Sequence, residues 1–454
     1  MYKLFDQSQF FRGSKWDFDI ARANKTALEK YQSFYSAMEL SGLPPYDLDR
    51  ITTAIFYLRT MLIRHGMIGQ DKTAVEIGCG TGNKSLSIND LFGRYIGIDL
   101  LKDQIHEANR RARSLRQENL FFVAENAVRV LNNPSAFGIP DEIDLLVLYA
   151  VIEHLTPTER ADVLALADDV IGRGGHVLIM ESPNRLLPFD SHTTEAHFFN
   201  WLPDRLAFEF AKTEAKRSEI VAEFDSWSGE RSTEQLYRIG RGVSFHDLEQ
   251  VFSSDLVDYS FPMHSFCCET LNMEPIQHQE INLLGYLSRN VPGKPNASFA
   301  RAWIDTIIGG HGSETSDVRY LSPFWPLWLV HEEPPIFWQS PSKTLSSQSA
   351  QWEAEPNIEG ASEIAFCFTG ETAEIAIEIK DCTSDRFELV NLTKARPTRW
   401  HNSFSVAYKV DKPLTHIRVR CLSGSVQFNG AFVSVKSQRP TRRRPPAFRH
   451  SESR

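Results

Sequence analysis

Apolar positions follow two different rhythms along this chain. Between Asp47 and Met180, short continuous apolar runs alternate with longer segments patterned for helices. The runs are AVEI (74–77), YIGID (95–99), LFFVA (120–124), DLLVLYAV (144–151) and HVLIM (176–180). The pieces between them include LKDQIHEANRRARSL and TPTERADVLALADDVI. Such runs separated by helices predict a parallel sheet covered on both faces, the doubly wound α/β arrangement. Ahead of the first run, Ile51, Ile55, Leu58 and Leu62 share one helix face, which Gly66 would terminate.

After about Leu329 the rhythm shortens to two. AEIAIEIK places Ala373, Ile375, Ile377 and Ile379 on one face, and FSVAYKV and THIRVRC alternate in the same way. Period-two patterning broken by regular turns predicts an antiparallel β-sandwich. The stretch from Pro183 to about Pro323 follows neither rhythm and reads as the rest of the sheet with insertions around its active face. The expected division is a helical N-terminal extension (1–46), an α/β domain (47–325), a β-sandwich (326–437) and a basic tail (438–454). The tail is Pro- and Arg-rich and is expected to be disordered.

Composition changes this picture little. A chain of 454 residues with 42% hydrophobic content has material for two or three domains. Charge is more informative: the tail carries six Arg and one Glu, so the chain's −9 less the tail's +5 leaves −14 for the body. An acidic body weighs against nucleic acid as the main partner. The six cysteines include no C-x-x-C pair, which predicts reduced thiols. The opening MYKLFDQSQFFRGSKW lacks the apolar core of a signal peptide, and no run reaches the length of a membrane span. The expected location is the cytoplasm, and the oligomeric state is left open.

The first apolar run ends in AVEIGCGTGN, with Gly78, Gly80 and Gly82 at every second position and Glu76 just before them. Strand, glycine turn and helix make the nucleotide-cofactor geometry of doubly wound sheets, because glycines let the backbone approach a ligand closely. The second run ends in Asp99, where a carboxylate accepts the two hydroxyls of an adenosine ribose. The spacing is neither the dinucleotide G-x-G-x-x-G nor a phosphate loop with its Lys-Ser/Thr end. Glu76 would repel a diphosphate and would tolerate a ligand bearing an amino group and a sulfonium.

The ordered set VEIGCGTGN (75–83), GIDL (97–100), ENA (125–127) and YAVIEHL (149–155) resembles the class I S-adenosyl-L-methionine (SAM) dependent methyltransferases. The resemblance implies a Rossmann-like methyltransferase sheet with SAM as its cofactor. It implies that Gly78, Cys79 and Gly80, with Gly82, line the methionine part, and that Glu76 anchors the amino group. It implies that Asp99 holds the ribose, Leu100 packs on the adenine, and Tyr149 and Ala150 flank the sulfonium. Asn126, beside Ala127, would bond the adenine amino group; many relatives carry Asp there, and Glu125 is the alternative. PNRLLPFDSHTTEAHFFNWLP (183–203) and RIGRGVSFHDLE (238–249) resemble a bacterial subset associated with polysaccharide and secondary-metabolite genes.

Candidate chemistry clusters after the fourth and fifth strands. His154 is the first choice of general base, with Glu153 beside it; the competing reading has both brace the loop. Asp190, His192 and His197 either contact substrate hydroxyls or build a polar loop, and their loose metal-like spacing is not assigned a metal. Trp201 is read as a stacking surface or packing, and Arg185, Arg238 and Arg241 as partners of a substrate anion or as structural residues. Trp325, Trp328, Trp338, Trp352 and Trp400 in or near the β-domain suggest either sugar stacking or core packing. The expected activity is methyl transfer to a hydroxyl or carboxyl of a sugar, polysaccharide precursor or similar metabolite. The alternatives are a quinone-like or other small aromatic acceptor, and a glycan-binding protein with a vestigial methyltransferase fold.

Overall fold

A computed structural model describes residues 54, 58–64, 66–190, 192–214, 230–252, 257–258, 280, 283, 286–287, 297–309, 315–321, 343–347, 351–355, 361–369, 373–383, 386–395, 403–410 and 413–437. The N-terminal extension, the basic tail and four of the five tryptophans named above lie outside the described residues.

The first unit is built on seven strands: β1 (Gly69–Ile77), β2 (Phe92–Asp99), β3 (Leu120–Ala124), β4 (Leu145–Tyr149), β5 (His176–Pro183), β6 (Val257–Asp258) and β7 (Trp303–Gly309). Their order is β3-β2-β1-β4-β5-β7-β6. The pairs from β3 to β5 are parallel, whereas β7 runs antiparallel to both β5 and β6. The five apolar runs of the sequence are β1 to β5, and the irregular stretch after them supplies β6 and β7.

Because side chains alternate across a strand, each run feeds two cores. Val75, Ile77, Ile96, Ile98, Leu146, Leu148, Val177 and Ile179 pack on one face. Ala74, Tyr95, Leu145, Val147, Leu178 and Met180 pack on the other, together with Leu58 and Leu62 of the expected first helix. That helix is described as α1 (Arg59–Arg64). The crossovers are α2 (Asn83–Ile88), α3 (Lys102–Ser114), α4 (Ala127–Asn132) and α5 (Pro157–Gly172). Beyond β5 come α6 (Asp204–Glu214), α7 (Glu230–Ile239) and α8 (Phe245–Glu249).

The second unit has nine strands, β8 (Thr315–Leu321), β9 (Lys343–Ser346), β10 (Trp352–Ala354), β11 (Ala361–Thr369), β12 (Ala373–Asp381), β13 (Glu388–Ala395), β14 (Ser403–Lys409), β15 (Leu414–Ser423) and β16 (Ser425–Ser437). One sheet runs β10-β15-β12-β13 and the other β14-β11-β16-β8, with β9 also on β16. All pairs are antiparallel. Ile375, Ile377, Ile417 and Val419 of the first sheet share one core with Ile364, Phe366, Phe368, Phe428 and Val433 of the second, which makes the unit a sandwich. The strand β8 precedes residue 326 and pairs along β16. Trp352 is buried against Phe428, with ring centroids 4.7 Å apart, so this tryptophan is core and offers no face to a sugar.

Candidate active site

Chain order reverses direction between β1 and β4, and in doubly wound sheets ligands bind at the carboxyl ends flanking that point. β1 ends in Glu76-Ile77 and the glycine turn; β4 ends in Tyr149 and the segment Ala150–His154. Gly78 has φ +71°, and a Cβ there would stand 2.7 Å from Val151 Cγ2. Only glycine meets both demands, and the contact brings the two strand ends together.

The turn is tied to β2. The amides of Gly78 and Cys79 donate to the Ile98 carbonyl at 2.8 and 3.2 Å. Those of Gly80 and Leu101 donate to opposite oxygens of Asp99, each at 2.9 Å. Each carboxylate oxygen accepts more than one hydrogen bond, so among the described residues each Asp99 oxygen keeps room for a further donor. Leu100 and Leu101 follow with 59% and 57% of their surface exposed, an apolar shelf next to that carboxylate. Cys79 is buried, and burial pushes its thiol well above the usual range.

Glu76 is buried beneath the turn and accepts from Ser85 Oγ at 2.5 Å and Tyr95 OH at 3.0 Å. Burial raises its pKa, opposed first by the Ser85 hydrogen bond. It therefore binds the start of α2 to β2. Lys84 covers the Tyr149 ring at 4.1 Å, and Tyr149 OH donates to Glu181 Oε1. The Tyr149 side chain is thus held within the fold, while Ala150, at φ +51°, turns the backbone out of β4. Asn126 Oδ1 caps α4 by accepting from the amides of Val128 and Arg129 at 2.9 and 3.2 Å. Glu125 takes the Asn126 amide and Arg129, and Ala127 opens the helix. The expected adenine acceptor Asn126 spends its oxygen on a helix N-terminus instead.

On the β4 side, Ile152–His154 forms a 3-10 turn. A capping box starts α5 directly after it: the Thr156 amide donates to Glu159 Oε2 at 2.9 Å, and the Glu159 amide to Thr156 Oγ1 at 3.4 Å. Arg160 Nε donates to the Ile152 carbonyl at 3.0 Å and pins the turn from behind. Glu153 is fully buried, its Oε2 accepting from Ser182 Oγ at 3.2 Å, and burial pushes its pKa up to about 8. His154 Nδ1 meets the Arg238 carbonyl at 3.0 Å.

The structure brings His192 to this pair and separates the other candidates. The rings of His154 and His192 are 5.4 Å apart. Asp190 is buried and accepts from the amides of His192, Thr193 and Thr194 and from Thr194 Oγ1, so it shapes the loop and is not a substrate contact. Arg241 is likewise corrected to a structural residue. It is buried and donates to the carbonyls of Phe199 and Leu202 and to Asp204 Oδ1 at 3.0, 2.6 and 3.2 Å. Arg238 joins α7 to α5 through Glu159 at 2.7 Å. His197 is exposed beside Phe189, 5.1 Å between rings, and the set Asp190, His192 and His197 does not converge. Trp201 is 54% exposed beside Phe198, and its Nε1 donates to the Arg185 carbonyl. Sequence reasoning missed Lys84, Thr193 and Gly240; the glycines of RIGRG were the available signal for the last.

A family model described as a methyltransferase domain matches residues 75–177. Residues 75–177 form a methyltransferase domain. Its cofactor is S-adenosyl-L-methionine, and the open acceptor sites of Asp99 beside exposed Leu100 and Leu101 fit a ribose and its base. A 23S rRNA (uracil(1939)-C(5))-methyltransferase, RlmD, from Marinomonas posidonica is 25% identical over 136 residues. That match takes in 27% of this chain and 31% of the relative, so the chain spans about a third of that curated protein. The expectation that no nucleic acid takes part gains no support from such a relative.

Among solved structures, N-methyltransferase NodS from Bradyrhizobium japonicum WM9 with S-adenosyl-L-homocysteine is similar at 21% identity and TM-score 0.25, covering 35% of this chain and 75% of its own. PKMT2 from Rickettsia typhi with AdoHcy is similar at 16% identity and TM-score 0.34, covering 64% and 62%. Among the described residues of this chain, no helix is long and apolar enough to cross a membrane.

Proposed function

We propose that the whole chain is an enzyme transferring a methyl group from SAM to an oxygen of a sugar, polysaccharide precursor or similar metabolite. The observation that carries the reading is the polar cluster Glu153, His154 and His192 at the carboxyl end of β4, reached through the Val151–Gly78 contact from the glycine turn. SAM supplies an activated methyl on a sulfonium, so positioning the acceptor in line with it provides much of the acceleration. Asp99 takes the ribose hydroxyls, Leu100 and Leu101 lie against the base, and Gly78 to Gly80 allow close approach of the backbone. Glu76 acts through Ser85 and Tyr95 as a positioning residue for the turn.

A hydroxyl acceptor requires a proton acceptor, and the imidazole of His154 is placed for it. The Arg238 carbonyl accepts only, so Nδ1 of His154 carries the proton and Nε2 the lone pair. Phe198 and Trp201, exposed on the loop that also carries His192, offer aromatic faces of the kind on which sugars stack.

The test is incubation of full-length protein and extracts with methyl-labelled SAM, followed by separation of glycan, small-molecule, protein and nucleic-acid fractions. Label in the glycan fraction that is lost in Asp99→Ala is the expected result. Label confined to small aromatic molecules, or to RNA, overturns the sugar acceptor and keeps the transferase. No label, with no heat of S-adenosylhomocysteine binding, overturns both.

A further inference from the structure

We infer that Glu153, His154 and His192 form a binding site for a first-row divalent cation of the Zn2+ type. Each of the three offers a donor atom, and these atoms lie within 4.8 Å of one another. Two imidazole nitrogens and one carboxylate are the donor set of three-ligand zinc sites that keep a position open for substrate or water.

The hydrogen bonds behind the cluster fix the tautomers of its two imidazoles. With Nδ1–H of His154 donated to the Arg238 carbonyl at 3.0 Å, the Nε2 lone pair points 3.7 Å from Glu153 Oε1. Thr193 Oγ1 donates its one proton to the Gly240 carbonyl at 2.8 Å, so it accepts from Nδ1–H of His192 at 3.0 Å. That sets the His192 lone pair on Nε2 as well. Such carbonyl and hydroxyl partners behind each imidazole are how proteins set the tautomer of a ligating histidine. Glu153 Oε1 is buried and has no hydrogen-bond partner among the described residues. The nearby Arg160 spends its donors elsewhere, on the carbonyls of Ile152 and Arg241 and on Asp247. A metal ion between that oxygen and the His154 lone pair would take the place of the proton that the buried carboxyl otherwise holds.

The backbone leaves room for this arrangement. Gly240 has φ +113°, and a Cβ there would stand 2.4 Å from His192 Cε1 and 3.5 Å from His154 Cε1. The glycine passes beneath both rings and permits them to converge. Ligands about 2.1 Å from a tetrahedral ion lie about 3.4 Å apart, so the ion draws the outermost pair inward by a small rotation. Ion binding stands apart from the acceptor assigned above. Only its chemical role rests on that reading: the ion would bind and acidify the acceptor hydroxyl, whose proton would leave to solvent as the oxygen takes the methyl, and His154 would serve as ligand in place of base.

Calorimetric titration of chelator-treated, full-length protein with ZnCl2 is expected to show one site per chain, and CoCl2 to give the visible absorption of an imidazole–carboxylate site. His192→Ala and Glu153→Gln should each lower Zn2+ affinity by about 100-fold, and Thr193→Val, acting through His192 and the Gly240 carbonyl without removing a ligand, by about 10- to 100-fold. S-adenosylhomocysteine affinity, measured on the same samples, reports that each variant is folded. Gly240→Ala gives a further variant that displaces His192 without removing a donor. Absence of saturable Zn2+ and Co2+ binding overturns the site, as does unchanged affinity in His192→Ala. Methyl transfer that survives chelation at full rate overturns the ion's chemical role and leaves the transferase reading standing.

Discussion

The two units treat buried polarity in opposite ways. Among the described residues, every buried charged or polar side chain lies before residue 310, including Glu76, Glu153, Asp190 and Asp305. The sandwich core is apolar apart from Cys421, and its ion pairs lie on the outside, with Arg418 bonded to Glu353 and Arg420 to Glu378, each at 2.5 Å. Burying a polar group is costly unless it is bonded, and the first unit does so repeatedly at the carboxyl ends of β1 and β4. The contrast separates a unit that buries bonded polar groups from one whose core is apolar.

Substitutions sharpen that contrast. Phe428→Ala, at the contact of Trp352 and Phe368, should cost about 3–5 kcal/mol of sandwich stability. It should leave S-adenosylhomocysteine affinity unchanged, and a parallel loss of affinity would break the division. Gly78→Ala should cost on the order of 2 kcal/mol or more, because the left-handed backbone is strained for alanine and Val151 is in the way. Here thermal unfolding and cofactor binding should suffer together. Asp99→Ala should weaken S-adenosylhomocysteine by about 1–3 kcal/mol in calorimetry, and unchanged affinity would refute the ribose role.

The smallest effect is at the surface of α3. Hydrogen bonds from Arg110, then from Arg111, hold the Glu107 carboxyl down at about 2, below the usual 4.5. A depressed folded pKa stabilises above the unfolded value and is lost as pH falls through the folded one. The advantage of wild type over Glu107→Gln should therefore be present above pH 4.5 and fade towards pH 2. It should stay under about 1 kcal/mol and shrink with salt.

Local pattern made much of this fold legible. The run LFFVA is β3 to the residue, and TPTERADVLALADDVI became α5 with Thr156 and Glu159 as its capping box. The glycine turn and Asp99 were readable because their spacing is short and the chemistry demands it. The pairing of β7 with β5 was not, since it joins segments more than a hundred residues apart and no turn announces it. For the same reason Asp190 and Arg241 read as site residues. A charged residue's partner is invisible in one dimension, and here the partners were backbone amides and carbonyls. His192 was singled out with the wrong companions, because what gathers it to His154 is the Gly240 backbone arriving from α7.

The late arrival of β7 has a consequence for the birth of the molecule. Asp305 Oδ1 accepts the Glu181 amide at 2.6 Å across a separation of 124 residues. At ribosomal speeds of about 5–20 residues per second, the edge of β5 waits about 6–25 s for its partner to be made. For that interval the nascent chain exposes an apolar strand edge beside an incomplete cluster, the state most open to pairing with the wrong neighbour.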